Sequence, residues 1–415
     1  MALSPCSSTF ARRYVPLRPL SSPSRRRPIR PRHTGAAVTA AGLAALAAAL
    51  TACSGSTPAS ADTAADKPDI SVNLRGKQAK AGSPVEVKLA DGKLKRVEVT
   101  DAKGTKLAGK VAANGTTWTS GRTAVPGTSY KVEATTDEGG TARTSFKTAA
   151  PEQVNKLSLT PGKDTTVGVA QPLSVVFDHP VKNKAEVEKH LKVTTSNSTT
   201  GSWGWIKNYD GKDRVDWRPK DYWKSGTKVK LDARLGGVDS GTGGGWFVRD
   251  YVTGFTVGKS QKVKVDLDSK QATLVRDGKS VKTVPMSAGT PGGDKASWGG
   301  TSVLMAKEGT INMRSETVGL GDAYDKMVDN SMRLTWSGMY AHAAPWNASY
   351  FGNTNHSSGC IGMSDGDASW LYGQVQVGDP FEVSGSGSKG VPDPGNGYGE
   401  WNISWNDWQT KSALS

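Results

Sequence analysis

A mainly β fold is predicted for this chain: two β-sandwich modules in series, a third β-rich unit with one short helix, and a tryptophan-rich C-terminal tail. Three observations carry that reading. Short runs alternate apolar and polar residues at the period of two that a half-buried strand requires. Asp-Gly and Asn-Gly pairs separate those runs where tight hairpin turns belong. The chain's 415 residues also exceed what one ordinary core organises, at roughly 100 to 200 residues per domain.

Residues 68–150 form the first predicted module, with Val85-Glu86-Val87-Lys88-Leu89 and Val97-Glu98-Val99 as strands and turns at Asp91-Gly92 and Asn114-Gly115. Residues 151–258 form the second, with strands at Leu173-Ser174-Val175-Val176-Phe177 and Val229-Lys230-Leu231 and a helix around Ala185 to His190. Many short strands between turn signals make a sandwich. Both modules read as a stalk, and His179 and His190, which have no partner motif, read as structural.

The third unit, residues 259–384, opens with Val263-Lys264-Val265-Asp266-Leu267, Ala272-Thr273-Leu274-Val275, an Asp277-Gly278 turn and Val281 to Val284. That order predicts a hairpin. Its helix is expected over Asp365 to Gly373. Residues 385–415 divide into a Ser/Gly/Pro linker, to about 397, and a tail carrying Trp401, Trp405 and Trp408 at i, i+4 and i+7. Aromatic residues at that spacing make a packing face, so the tail is expected to fold back onto the body.

The N-terminus reads as an export signal over residues 1–52: a basic stretch, the apolar run Ala36 to Leu50, and a short exit sequence. The run is shorter than the roughly 20 residues a spanning helix needs. Leu50-Thr51-Ala52-Cys53 resembles the lipobox of bacterial lipoproteins, which implies that Cys53 is acylated and anchors the chain at the outer face of the cytoplasmic membrane, within the cell wall. Residues 53–67, rich in Ser, Thr, Ala, Asp and Pro, offer nothing to bury and read as a flexible spacer.

Charge narrows the partners. Eight arginines precede residue 53 with no acidic residue among them, and setting them aside reduces the formal +15 to +7. A mildly basic remainder suits an anionic envelope surface. No basic stretch carries a groove-reading or base-stacking motif, so nucleic acid is excluded as a partner.

Three cysteines are present. Cys6 leaves with the leader and Cys53 takes lipid, so Cys360 remains as the one free thiol. In an exported chain an unpaired cysteine is either a buried small apolar residue or a reactive group, and the count alone does not choose. Its surroundings do. The sequence reads Met339-Tyr340-Ala341-His342-Ala343-Ala344-Pro345-Trp346, then Asn355-His356-Ser357-Ser358-Gly359-Cys360-Ile361-Gly362-Met363-Ser364. A thiol attacks as thiolate and needs a neighbouring base, because its ordinary pKa near 8.5 leaves little of it ionised at neutral pH. A glycine beside the nucleophile also lets the backbone N–H groups of Ser358, Gly359 and Cys360 approach a developing oxyanion, worth about 3 kcal/mol per donor.

This segment resembles the catalytic motif of the L,D-transpeptidases, a histidine followed after a gap by Ser/Thr-His-Gly-Cys. Here 17 residues separate His342 from Cys360. The resemblance extends over most of the mature chain, since actinobacterial members also carry an export leader, two immunoglobulin-like modules and a Trp-rich tail like Gly399-Glu400-Trp401-Asn402-Ile403. It implies that Cys360 attacks the carbonyl preceding the terminal D-Ala of a tetrapeptide stem, releasing D-Ala and leaving a thioester. His342 then matches the family's proton donor and acceptor. Tyr324 matches a tyrosine that covers the donor site, and Ser337-Gly338 match backbone contacts to the donor stem. An amine of a second peptidoglycan stem is the implied acceptor, which gives a 3→3 cross-link, and carbapenems are implied as covalent inhibitors. No cofactor is implied.

The motif departs from the common pattern at two positions. Ser358 stands where most members have histidine, and Gly362 where they have Asn or Arg. His356 is a candidate auxiliary for the missing histidine. Ala343 and Gly362 are assigned to the substrate-contacting set, and a backbone carbonyl is expected to orient His342. Among rival readings, a metal site of His342, His356 and Cys360 lacks the ligand spacing of catalytic zinc. Water as acceptor would make an L,D-carboxypeptidase on the same scaffold. A decayed catalytic unit would leave an envelope-binding lipoprotein.

Overall fold

The computed structural model describes residues 67–75, 79 and 81–415. The leader, Cys53 and all but the last residue of the predicted spacer lie outside the described residues.

The chain is mainly β, as its alternating runs require. In the first sandwich, Ile70–Val72, Pro84–Leu89, Thr117–Thr123 and Gly109–Val111 form one sheet and Leu94–Asp101, Ser129–Thr136 and Thr141–Lys147 the other. Val85, Val87, Val99, Trp118, Tyr130, Val132 and Phe146 fill the space between them. The second sandwich packs two four-stranded sheets around Phe177, Trp203, Trp205, Trp217 and Trp223. Its helix runs Lys184–Lys189. The two modules are joined rigidly through Arg122. Its guanidinium donates to both carboxylate oxygens of Asp250 at 2.7 and 2.9 Å and to the carbonyls of Arg234 and Gly236 at 3.0 and 2.9 Å. A charge-assisted fork of this kind fixes direction as well as distance.

The third unit is built on one nine-stranded sheet. From one edge its strands are Gly300–Val303, Pro380–Ser384, Gln261–Asp266, Gln271–Arg276, Lys279–Ser287, Ile361–Met363, Tyr340–Ala343, Asp325–Arg333 and Ala306–Arg314. The predicted hairpin is present, with Arg276 paired to Lys279 across Asp277-Gly278. Helix Asp365–Gln374 is capped by Ser364, whose Oγ accepts the Asp367 N–H at 3.1 Å and satisfies one of the donors a helix start leaves open. Ala368 and Leu371 turn from it into a core shared with Val263, Val265, Met286, Met332, Ile361 and Phe381.

The tail folds back onto the second sandwich and, through Asn402 on Thr301, onto the edge strand of the third unit. Arg218 lies 4.9, 5.4 and 5.2 Å from the ring centres of Trp401, Trp405 and Trp408, so the three indoles share one cation. Trp401 Nε1 donates to the Ala170 carbonyl at 2.8 Å and Trp408 Nε1 to the Ser202 carbonyl at 3.0 Å. The segment before it departs from the expectation of a linker. Lys389 N–H donates to the Ser297 carbonyl at 3.0 Å, the Asn396 side chain pairs with Ser337, and Arg214 donates to the Gly397 carbonyl at 2.8 Å. Composition suggested freedom, but backbone groups of Ser386, Lys389, Gly390 and Gly397 find partners on the body.

Candidate active site

Cys360 and His342 reach one cavity because two short strands run side by side. Tyr340–Ala343 pairs in parallel with Ile361–Met363, placing His342 opposite Gly362, two residues beyond Cys360. Side chains on a strand alternate faces, so positions 360 and 362 share the face that His342 occupies. Gly362 has no side chain to intervene. A Cβ there would lie 2.8 Å from the Ala344 Cβ, so glycine is the residue that keeps this face open.

Both groups line a cavity of about 330 Å³ whose walls include Tyr324, Lys326, Trp346, His356, Ser358 and Gly362. His342 is only 5% exposed. Its Nδ1 lies 2.6 Å from the carbonyl oxygen of Ala343, a contact that requires the proton on Nδ1 and leaves Nε2 as the acceptor. Burial lowers its pKa to about 4 against the partial opposition of that carbonyl. Cys360 is half-buried. Desolvation pushes its thiol up to about 11, while the backbone N–H of Tyr340 and the charge of Lys389 pull it down. The resting pair is therefore neutral thiol and neutral imidazole. Cys360 Sγ donates to the Gly338 carbonyl at 3.6 Å.

The turn before Cys360 depends on Gly359, whose φ of 120° is a conformation that L side chains rarely adopt. The backbone donors there divide. Gly359 N–H donates to Ser357 Oγ at 3.2 Å, so of the three donors assigned to the oxyanion it is the one with a protein partner. The N–H groups of Ser358 and Cys360 have no protein partner among the described residues.

Other predicted positions are redistributed. Ala343 is buried to 1% in the core and its carbonyl orients His342, so the substrate-contact assignment is corrected to a positioning one. Ser337 N–H donates to Asn396 Oδ1 at 2.8 Å, which removes that N–H from any contact with substrate. Gly338 belongs to a neighbouring cavity of about 370 Å³, lined also by Glu308, Arg333, Trp336 and Tyr340. Tyr324 lines both cavities, and Cys360 lines the first, with its thiol on the carbonyl of Gly338, which lines the second. Desolvation and the nearby Cys360 raise the Tyr324 phenol to about 12. Its loop is organised by buried Ser315, whose Oγ accepts the N–H groups of Ala323 and Tyr324 at 2.8 and 2.9 Å. His356 reaches the cavity wall, stacked on Tyr350 with centroids 4.2 Å apart.

Sequence reasoning missed Lys295 and Lys326, which line the cavity, and the stacking of Trp346 on His342 at 6.1 Å with Lys326 above it at 4.5 Å. The His342-x-x-Pro345-Trp346 spacing was the available signal for the stack. Among the described residues no group of three or more His, Cys, Asp or Glu is placed to hold a metal ion.

Comparison with known proteins adds the family. Residues 76–239 match the bacterial Ig domain, and residues 260–383 match the L,D-transpeptidase catalytic domain. L,D-transpeptidase 2 of Mycobacterium tuberculosis is 32% identical over 339 residues, covering 80% of this chain and 81% of its own. L,D-transpeptidase 5 of the same organism is 30% identical over 337 residues, covering 80% and 74%. A solved LD transpeptidase in complex with imipenem is 31% identical and covers 56% of this chain and 100% of its own, with a TM-score of 0.47. With a catalytic-domain match that contains both His342 and Cys360, and relatives alike over four-fifths of its length, this chain belongs to the L,D-transpeptidase family.

Proposed function

We propose that the protein is a peptidoglycan L,D-transpeptidase that forms 3→3 cross-links through a thioester on Cys360. The observation that carries this is that His342 and Cys360 line one cavity, His342 on a strand parallel to the one that follows Cys360, with Nδ1 of the imidazole already engaged by a carbonyl. His342 Nε2 takes the Sγ proton as sulfur attacks the carbonyl preceding D-Ala. The oxyanion forms against the N–H groups of Ser358 and Cys360. Its collapse breaks the peptide bond, and the imidazolium returns the proton to the departing D-Ala amine. The acceptor amine then attacks the thioester, loses its proton to His342, and sulfur leaves to regain it.

A second cavity beside the first, sharing Met313 and Tyr324 with it, offers a separate place for a second stem, which supports transfer to an amine. Tyr324, on the wall common to both, is the residue that covers the donor. Leu50-Thr51-Ala52-Cys53 supports lipidation at Cys53, with the catalytic unit held outside the cytoplasmic membrane.

Intact-mass spectrometry tests this reading. Incubation with imipenem adds one molecule of the drug to wild type, on the peptide containing Cys360, and nothing to Cys360→Ala; protein extracted from membranes carries a lipid mass on Cys53. An adduct that persists in Cys360→Ala refutes the assignment of the nucleophile, and an unmodified Cys53 refutes the anchor.

A further inference from the structure

The segment between the catalytic unit and the tail reaches the back of the active site through Asn396. Asn396 is 7% exposed. Its Oδ1 accepts the Ser337 N–H at 2.8 Å, and its Nδ2 donates to Ser337 Oγ at 2.8 Å. Ser337 Oγ is further held by Trp298 Nε1 at 3.0 Å and by Thr335 Oγ1 at 3.1 Å. Next in the chain comes Gly338, with φ of 94°. A Cβ there would lie 2.3 Å from Val318 Cγ1, so the 315–324 loop rests directly on this residue. Its carbonyl accepts the Cys360 thiol. On the other side of Asn396, Gly397 is held through its carbonyl by Arg214 of the second sandwich at 2.8 Å.

We infer that Asn396 is a positioning residue for the nucleophile: its amide locks the Ser337-Gly338 turn, and that turn sets both the Gly338 carbonyl against Cys360 Sγ and the seat of the Tyr324 loop. Two bonds to one residue, at its backbone N–H and its Oγ, leave the turn little freedom, and a displacement of about 1 Å at a reacting group is enough to cost about a hundredfold in rate. The second sandwich enters the same chain of contacts through Arg214, so it supports the site as well as carrying it. The inference rests on Cys360 being the acylated group.

The test compares wild type, Asn396→Ala and Asn396→Asp as full-length ectodomain. The rate of Cys360 acylation by imipenem is measured with the pH midpoint of Cys360 alkylation by iodoacetamide and with the thermal midpoint. Asn396→Ala is expected to acylate about ten- to a hundredfold more slowly, and its alkylation midpoint falls, because a thiol that loses the Gly338 acceptor loses stabilisation of its protonated form. Asn396→Asp retains acceptors for the Ser337 N–H and O–H and keeps a rate within about threefold of wild type, a small fraction of the loss that misplacement brings. Both variants unfold in one cooperative transition. Wild-type acylation and midpoint in Asn396→Ala overturn the inference, as does an equal loss in Asp and Ala variants that merely tracks thermal stability. If Asn396→Ala does not fold, a rate in Asn396→Asp more than tenfold below wild type with an unchanged thermal midpoint also overturns it. Failure of wild type itself to acylate, with alkylation intact, overturns the proposed function and not the positioning.

Discussion

Replacing His342 with Ala lowers the rate at which Cys360 is acylated by about 10² to 10⁴, the range a positioned general base contributes. The loss arises because no other group in the cavity is both neutral at physiological pH and fixed by a second bond: Nδ1 of His342 is committed to the Ala343 carbonyl, whereas His356 is stacked on Tyr350 and has no such anchor. The pH dependence carries the same signature. With the imidazole lowered to about 4 and the thiol raised to about 11, acylation is level from about pH 5 to 8 and falls only as pH approaches 4. A base at its ordinary value near 6.5 would cut activity in half at that pH. Stability follows in a defined direction. Unfolded His342 binds a proton below its ordinary value while the buried ring resists it, so this group withdraws stability as pH falls from about 6.5 toward 4, and His342→Ala flattens that slope. Acylation rates and urea midpoints over that range check both statements.

Trp408→Ala is expected to destabilise the protein by about 3 to 5 kcal/mol, the cost of deleting a large buried aromatic residue. The indole is completely buried and donates to the Ser202 carbonyl, and the backbone opposite it is Gly204, where a Cβ would lie 2.5 Å from the ring. Nothing nearby can collapse into the space it vacates, since Gly204 has no side chain and Arg218 must stay over the remaining indoles. Urea titration reads the change as a lower midpoint. A cost below about 1 kcal/mol, the level of an exposed substitution, would mean that the tail is an appendage.

The fold was legible where a local pattern suffices. Alternation marked Pro84–Leu89 and Leu173–Phe177, and Asp277-Gly278 marked its hairpin, because period and turn chemistry act over a few residues. The candidate pair was legible for a different reason: a cysteine and a histidine fall close together in the sequence, and both line one cavity in the structure. What sequence could not show depends on contacts between distant segments. Asn396 meets Ser337 across 59 positions through a segment whose Ser/Gly/Pro composition signals only an absence of helix and strand. The Trp401, Trp405 and Trp408 spacing announced a packing face, but its partner, Arg218 on a sandwich strand, carried no local mark.

The most direct test of the account is the product formed from a disaccharide-tetrapeptide donor in the presence of a second, amine-bearing stem. Mass spectrometry of wild type is expected to show free D-Ala, a thioester on Cys360 at short times, and a cross-linked dimer joined 3→3, all three absent in Cys360→Ala. Release of D-Ala with no dimer at any acceptor concentration, or a dimer that persists without the Cys360 thiol, would contradict it.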